Sequence, residues 1–230
     1  MKKIIRGIYQ RNIVLILLLG IVFLLVAVKI VNAIDYRNSD FFSFWLAGRM
    51  MWTGQDPYLT DDWILGHNQF DATWISDPNF LYPLPLALFF APLGWLPLYY
   101  AFIVWIFLLE SMIFFSAISL INLGDNPQKK HFIVPILVSI LIFRPAIIAV
   151  LNGQISGFLL FVMVCVILLW NKSHWVLGGA ALAIVALKPN IGIPIIALVS
   201  LWLLFNKKIN SLAGVAASGL ALVLLGLAAK

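Results

Sequence analysis

Most of the acidic residues lie in one polar segment, residues 35–79, of a chain that is otherwise strongly apolar. The carboxylates of this segment are Asp35, Asp40, Asp56, Asp61, Asp62, Asp71 and Asp77, and its tryptophans are Trp45, Trp52, Trp63 and Trp74. Indole faces stack on the C–H surfaces of sugars, and carboxylates accept protons from hydroxyl groups. The segment therefore predicts a binding site for a hydroxyl-rich ligand. An interfacial aromatic belt with solvated carboxylates is the alternative interpretation.

A polar break at Asn152-Gly153-Gln154 interrupts the apolar part of the chain. Irregular backbone at membrane depth is tolerated only where it is buried in protein or lines a cavity. We therefore predict that Asn152 and Gln154 line a pocket. Close packing of two helices at Gly153 and Gly157 is the alternative that we consider.

A second break, Lys188-Pro189-Asn190, places a lysine beside a helix-breaking proline. Such a lysine needs an anionic partner or must reach the membrane surface, and a lipid phosphate is a suitable anion. We predict that Lys188 binds a phosphate, with Arg49 as a further candidate for the same role. Glu110, near the middle of an apolar run, is a functional candidate or a buried structural carboxyl.

Several classes of site are not predicted. The three histidines (His67, His131 and His174) lack metal-ligand spacing, and we find no glycine-rich phosphate loop or nucleophile motif. We therefore predict no metal, no cofactor and no nucleotide-binding domain, so that a substrate must arrive through the membrane. The net charge is +6, but the basic residues lie mostly at the ends of predicted helices, so nucleic acid is not a predicted partner.

The composition predicts an all-α polytopic integral membrane protein whose surroundings are the lipid bilayer. Hydrophobic residues make up 63% and charged residues 10% of the chain, and the mean hydropathy is +1.03. Residues 1–12 are basic without an acid and are predicted to be cytoplasmic. Residues 13–34 form the first predicted transmembrane helix, although this pattern also resembles a signal peptide. The loop 35–79 is then extracytoplasmic, and residues 80–230 form a transmembrane bundle.

Two helices are predicted in the loop. Residues 40–54 have apolar positions at helical spacing and are expected to lie at the membrane interface, with Asp40 as the N-cap and Gly54 as the stop. Residues 62–70 form a second short helix. Such helices would hold functional groups just above the bilayer.

The segment 80–97 leaves two topologies open. Four prolines (Pro83, Pro85, Pro92 and Pro97) make a regular spanning helix doubtful there. If the segment does not cross, the two polar breaks face the same side as Asp40, and the positive-inside bias favours this arrangement. If the segment crosses, both breaks face the cytoplasm. The further predicted spans are residues 98–123, 132–150, 158–170, 176–187, 191–205 and 209–229.

With these residues assembled, the chain resembles glycosyltransferase family 87, which belongs to the GT-C superfamily of multi-spanning enzymes. The resemblance covers about residues 35–195. It rests on segments 40–49 (DFFSFWLAGR), 54–58 (GQDPY), 82–85 (YPLP), 152–154 (NGQ) and 187–189 (LKP). The family pattern usually has two consecutive prolines after the tyrosine, and here Leu84 separates them.

The resemblance implies transfer of a hexose, typically mannose, from a polyprenyl-phosphate sugar to a glycan or glycolipid acceptor at the outer face of the plasma membrane. The reaction inverts the anomeric centre. The acidic residue of the family motif corresponds to Asp40, which would act as general base on the acceptor hydroxyl. Lys188 and Arg49 would stabilise the departing phosphate.

The resemblance also places further side chains in the site. Asn152, Gln154, Asp56, Tyr58, Tyr82 and Trp45 are expected to line the pocket. Family members are generally longer and have more spans, so we expect this chain to be an N-terminal portion. A membrane transporter or flippase for a lipid-linked or small polar substrate is the alternative function, because broken helices with polar residues are also typical of transporters.

Overall fold

In the computed structural model the chain is described for residues 2–73, 77–123, 134–136, 138–139 and 142–228, with side chains from residue 13 onward. These residues form helices joined by short turns and contain no strand. The helices are α1 (Lys2–Ala33), α2 (Asp40–Thr53), α3 (Thr60–Gln69), α4 (Leu84–Gly94), α5 (Leu98–Leu123), α6 (Arg144–Leu151), α7 (Ser156–Asn171), α8 (Trp175–Ala183), α9 (Pro189–Phe205) and α10 (Ile209–Ala228). The predicted all-α class is confirmed. Residues 124–131, and residues 132–133, 137 and 140–141 of the predicted span 132–150, lie outside the described residues.

Three of these helical segments are long and apolar enough to cross a membrane: Ile13–Ala33, Leu98–Leu123 and Ile209–Ala228. A helix rises 1.5 Å per residue, so about 20 residues cross the hydrocarbon core of about 30 Å. Helices α6 and α7 pass the same test together, with a bend of 114° between them. The chain is therefore a polytopic membrane protein, as its composition predicts.

The proline-rich segment forms only the short helix α4. Pro83 directly precedes the helix, Pro85 lies in its first turn and Pro92 lies inside it. Its 11 residues extend over about 16 Å, which is about half of the hydrocarbon core. The expectation that this segment does not form a regular spanning helix agrees with the structure.

Helix α2 begins at Asp40. The prediction that Asp40 is the N-cap of this helix is wrong. The cap is Ser39, whose Oγ accepts a hydrogen bond from the Phe42 backbone N–H at 3.3 Å. Asp40 is instead the first residue of the helix, where a carboxylate interacts favourably with the helix dipole. The predicted stop is present: Gly54 has a φ of 72°, in the left-handed region that favours glycine.

Helix α2 is buried on most sides, so it differs from the one-sided interfacial helix that we expected. Its buried residues are Phe41, Phe42, Phe44, Trp45, Leu46, Ala47, Gly48 and Met50. The ring of Phe41 stacks on Phe102 of α5 with a centroid distance of 4.7 Å. The ring of Phe44 stacks on Phe90 of α4 at 5.1 Å. The polar loop therefore contributes a core element, because α2 packs between α4 and α5.

The backbones of α2 and α4 approach closely at Gly48. A Cβ atom added to Gly48 would lie 2.6 Å from the carbonyl carbon and oxygen of Phe90. A contact this short between backbone and side chain requires the helices to move apart. Glycine at position 48 therefore permits the packing that fixes α2 in the core.

The second half of the bundle contains both predicted breaks. The first separates α6 from α7, and Gly153 within it has a φ of 62°. The second follows a 3-10 turn at Ile184–Leu187, after which α9 begins at Pro189. Helices α8 and α10 pack closely, because a Cβ atom at Gly179 would overlap the Ser211 carbonyl oxygen.

We expect Gly48→Ala to destabilise the protein relative to Gly20→Ala. Both changes replace a helical glycine by alanine, and this replacement by itself stabilises a helix by about 1 kcal/mol. Only at position 48 does the new methyl group meet backbone, whereas a Cβ at Gly20 meets nothing within 4 Å. Overpacking of this kind costs about 1–3 kcal/mol. Thermal unfolding of the purified variants in detergent measures the difference; equal melting temperatures would contradict the proposed close packing.

Candidate active site

A cavity of about 370 Å³ lies next to the start of α2. Its walls come from four parts of the chain that are distant in sequence. They are Asp40, Ser43 and Phe44 of α2, Trp63 and His67 of α3, residues 77 and 79–82, and Pro189 and Asn190 at the start of α9. This volume lies within the range of about 300–1,000 Å³ that is common for ligand pockets.

Hydrogen bonds of its two neighbours in the chain fix the position of Asp40. The N–H of the following residue, Phe41, donates a hydrogen bond to the carbonyl oxygen of Asn152 at 3.1 Å. On the preceding side, the Ser39 hydroxyl donates to the carbonyl oxygen of Tyr36 at 2.8 Å. The side chain of Asp40 is half-buried at the cavity wall. The carboxylate is therefore held on a rigid element and remains open to a ligand.

The break at Asn152 and Gly153 supports α2 through its backbone. The indole N–H of Trp105 donates to the Gly153 carbonyl oxygen at 2.7 Å. A Cβ at Gly153 would lie 2.6 Å from the Phe102 ring and 2.7 Å from Phe41 Cβ. Asn152 and Gln154 are not among the residues that line the cavity. The structure thus brings this break to the site as a support beneath α2, while the two side chains do not reach the cavity.

Tyr82 lines the cavity, and Tyr58, which does not line it, contacts the backbone of Tyr82. The Tyr58 hydroxyl donates a hydrogen bond to the Tyr82 carbonyl oxygen at 2.6 Å. Burial, together with the nearby Asp56 carboxylate, raises the pKa of Tyr58 to about 12. Burial, followed by the charges of Asp40 and Asp77, raises the pKa of Tyr82. Both phenols are therefore neutral at physiological pH and serve as hydrogen-bonding groups.

Asp56 and Tyr58 line a neighbouring groove of about 490 Å³. Its other walls come from Pro83, Leu84, Pro85, residues 186–187, Ile193 and the α10 residues Gly219, Leu222, Val223 and Gly226. Pro189 lines both this groove and the cavity. Most of the groove surface is apolar, and its polar side chains are those of Asp56 and Tyr58.

Lys188 lies beside the cavity at the second break. Its ammonium group donates a hydrogen bond to the Ser156 hydroxyl at 3.2 Å, and the side chain is half-buried. The next two residues, Pro189 and Asn190, form part of the cavity wall. Helix α9 begins there, so the partial positive charge of its N-terminus is next to the cavity.

Arg49 and Trp45 are not brought to the cavity. Arg49 lies nine residues after Asp40 on the same helix, a separation of about 14 Å along the axis. Its guanidinium donates to the Gly94 carbonyl oxygen at 3.3 Å and lies 5.4 Å from the ring centroids of Trp45 and Phe70. Trp45 is fully buried. These contacts tie α2 to the end of α4.

His67 is a cavity residue that we did not predict, and Trp63 was predicted only as one of the tryptophans of the loop. His67 is buried, and its Nδ1 lies 2.9 Å from the Trp63 carbonyl oxygen. Burial lowers the pKa of His67, and the hydrogen bond to Trp63 opposes this effect. The available signal was their spacing of four residues on one predicted helix, which places both side chains on the same face.

The chemistry of the cavity is suited to a hydroxyl-rich ligand. It combines the Asp40 carboxylate with the indole of Trp63 and the amides of Asn79 and Asn190. Of the other tryptophans in the loop, Trp52 donates its indole N–H to the Ala91 carbonyl oxygen at 2.6 Å. Trp74 lies outside the described residues.

The bundle and one side of the cavity match a known protein family. The family model described as Glycosyltransferase family 87 matches residues 80–230. The matched residues include Tyr82, Lys188, Pro189 and Asn190, whereas Asp40 precedes them. No curated protein and no solved structure matches the chain.

We expect the protein to lose stability as the pH falls below about 6.5, the usual pKa of histidine. Burial lowers the pKa of His67 in the folded state, so the unfolded state binds the proton more tightly. The contribution of neutral His67 to the free energy of unfolding is complete above pH 6.5. It is lost as the pH falls towards the lower pKa of His67 in the folded state. Between pH 7.5 and pH 5, the melting temperature in detergent should fall less for His67→Gln than for the native protein. His174→Gln, which replaces an exposed histidine, is the control. An equal fall in melting temperature with pH in the native protein and both variants would contradict the prediction.

Proposed function

This chain belongs to glycosyltransferase family 87, and from that membership we propose that it transfers a hexose, typically mannose, from a polyprenyl-phosphate donor. The acceptor is a glycan or glycolipid at the extracytoplasmic face of the plasma membrane. Asp40 acts as the general base. The observation that carries the proposal is the cavity in which Asp40 meets residues of the family match, Tyr82, Pro189 and Asn190.

The proposed reaction is a displacement at the anomeric carbon. Asp40 takes the proton from an acceptor hydroxyl while the hydroxyl oxygen bonds to the anomeric carbon. The bond from that carbon to the phosphate oxygen breaks, and the lipid phosphate leaves with the bonding electrons. Attack from the side opposite the phosphate inverts the configuration. No nucleotide sugar takes part.

The departing phosphate requires positive charge close to the cavity. Lys188 provides it if its side chain turns from Ser156 towards the bound phosphate. The N-terminus of α9 adds its partial positive charge at the same place. Arg49 was the second candidate, but its guanidinium is engaged by the Gly94 carbonyl and two aromatic rings. We therefore assign the phosphate to Lys188.

The apolar groove beside the cavity supports a lipid-linked donor. It meets the cavity at Pro189 and continues between α4, α9 and α10. A phosphate bound at Lys188 would place the first isoprene units at the mouth of this groove. The half-buried Tyr58 and its hydrogen bond to Tyr82 form the wall between the sugar and the lipid.

The cavity also supports the topology in which residues 80–97 do not cross the membrane. In that topology the second break faces the same side as Asp40. Asp40 and Asn190 line the same cavity, as this arrangement requires. With residues 1–12 in the cytoplasm, the proposed active site is extracytoplasmic.

We expect Asp40→Asn to lower sugar transfer by at least about 100-fold, because loss of a general base typically costs 10²–10⁴-fold. The assay uses membranes from cells expressing the intact open reading frame and radiolabelled polyprenyl-phosphate mannose. Asp61→Asn is the matched control, because Asp61 is exposed on α3 and does not line the cavity. Expression of the three proteins is compared in the same membranes.

Two other results are informative. Transfer that survives Asp40→Asn would assign the base to another loop carboxylate, such as Asp56. If the native protein transfers neither mannose nor glucose or arabinose from lipid phosphates, the proposed donor class is wrong. That result would favour the transporter alternative.

We expect Gly219→Phe to weaken the use of long-chain donors. A Cβ at Gly219 meets nothing within 4 Å, so a larger side chain fills the groove without displacing the backbone. The KM for a long polyprenyl-phosphate donor should rise about tenfold, equivalent to about 1.4 kcal/mol of binding free energy. A short-chain donor analogue should be unaffected. Gly20→Phe is the control at an open site on α1. If Gly219→Phe raises the KM for the long-chain donor no more than the KM for the short-chain analogue, the groove is excluded as the lipid site.

A further inference from the structure

A cluster of lysines and tryptophans lies at the end of the bundle opposite the cavity. Helix α9 starts at the cavity wall, and its 17 residues extend over about 25 Å to the turn at its other end. That turn, residues 206–208, lies beside the turn at residues 171–174. The basic–aromatic cluster consists of Lys172, Lys207, Lys208, Trp170, Trp175 and Trp202.

Direct contacts hold the cluster together. The ring of Trp170 stacks on Trp175 with a centroid distance of 6.0 Å and on Trp202 at 6.1 Å. The Lys208 ammonium lies 4.0 Å from the centroid of the Trp175 ring. Three helices, α7 to α9, and the two turns thus contribute to one surface, on which Lys172 and Lys207 are exposed.

The two turns that carry the lysines have the same backbone hydrogen-bond pattern. In the first, the His174 N–H donates to the Leu169 carbonyl oxygen at 2.9 Å, and Ser173 has a φ of 62°. In the second, the Lys208 N–H donates to the Leu203 carbonyl oxygen at 2.9 Å, and Lys207 has a φ of 54°. Glycine is usual at this left-handed position of a helix C-terminus. Ser173 occupies it in the first turn and Lys207 in the second, despite the less favourable backbone conformation.

Among the described residues, the lysines of the cluster have no carboxylate partner. The sequence has no Asp or Glu after Asp125, and no described carboxylate pairs with the three lysines. The C-termini of α7 and α9 lie at this end together with the N-termini of α8 and α10, so the helix dipoles roughly cancel and the lysines supply the net positive charge. In the part of the chain that the structure describes, the cluster is therefore an electropositive surface suited to an external anion.

Exposed apolar side chains surround the positive charge. Phe205, next to the second turn, is 76% exposed, and Ile209, which follows the turn, is 57% exposed. Val176 and Leu177 at the start of α8 are also exposed. Tryptophan with neighbouring lysine is typical of the level at which lipid headgroups lie. A ligand that fits both features has an anionic head and apolar chains.

We propose that the basic–aromatic cluster binds the headgroup of an anionic glycerophospholipid from the leaflet opposite the active site. The ammonium groups of Lys172, Lys207 and Lys208 pair with the phosphate and any second negative charge of the headgroup. The acyl chains lie along the exposed apolar surface of α8 and α9. A zwitterionic phospholipid has the same chains but no net charge, so it binds more weakly.

Native mass spectrometry of the detergent-solubilised full chain tests the proposal, with phosphatidylglycerol and phosphatidylcholine of identical acyl chains as probes. We expect phosphatidylglycerol to bind at least about tenfold more tightly, since each lysine near a lipid surface contributes favourably. The triple variant Lys172→Gln/Lys207→Gln/Lys208→Gln should lose this preference. The triple lysine-to-arginine variant should retain it.

A matched control removes the same charge elsewhere. Lys2→Gln/Lys3→Gln/Arg6→Gln should leave the lipid preference within about twofold of the native protein. If the triple cluster variant does not fold, Lys172→Gln/Lys207→Gln changes only the two exposed lysines and should still lower the preference severalfold. Equal binding of the two lipids, an equal loss in the N-terminal control, or complete competition by glycerol phosphate would each overturn the proposal.

Discussion

The site depends on one backbone hydrogen bond, from the N–H of Phe41 to the carbonyl oxygen of Asn152. The donor is one of the N–H groups that have no partner within a helix at its N-terminus, and the acceptor is a carbonyl at a helix break. The bond therefore pairs two backbone groups that their own helices leave unpaired. A buried polar backbone group without a partner is costly, which makes this pairing specific. Because Asp40 precedes Phe41, the same bond sets the position of the carboxylate relative to the second half of the bundle.

Aromatic packing stabilises this junction. Phe41 stacks on Phe102 and packs against Phe90, while Trp105 packs on Phe90 and donates to Gly153. The loop helix, the proline-rich helix and a long membrane span therefore share one core. Displacing any of them would expose large aromatic surfaces and leave the break at Gly153 without its donor. The rigidity of Asp40 follows from this shared packing.

Helix boundaries were largely predictable because glycine, proline and polar residues mark them locally. Ser39 and Asp40 are both good N-cap residues, so residue preference alone could not choose between them. The cavity partners of Asp40 were harder to predict, since Trp63, His67 and Asn190 reach it only through long-range packing. Arg49 illustrates the opposite case: its distance from Asp40 along one helix follows from helical geometry, and the basic charge alone suggested a role in the site. The family resemblance was confirmed for residues 80–230.

The cavity walls come from residues 40 to 190, with long stretches of membrane helix between them. A chain that is synthesised from its N-terminus and inserted segment by segment exposes Asp40 early and acquires Pro189 and Asn190 only when α9 enters the bilayer. Until then the cavity lacks the wall that Pro189 and Asn190 form. The order of insertion thus delays ligand binding at the cavity until most of the bundle is in the membrane, and partly inserted chains lack a complete site.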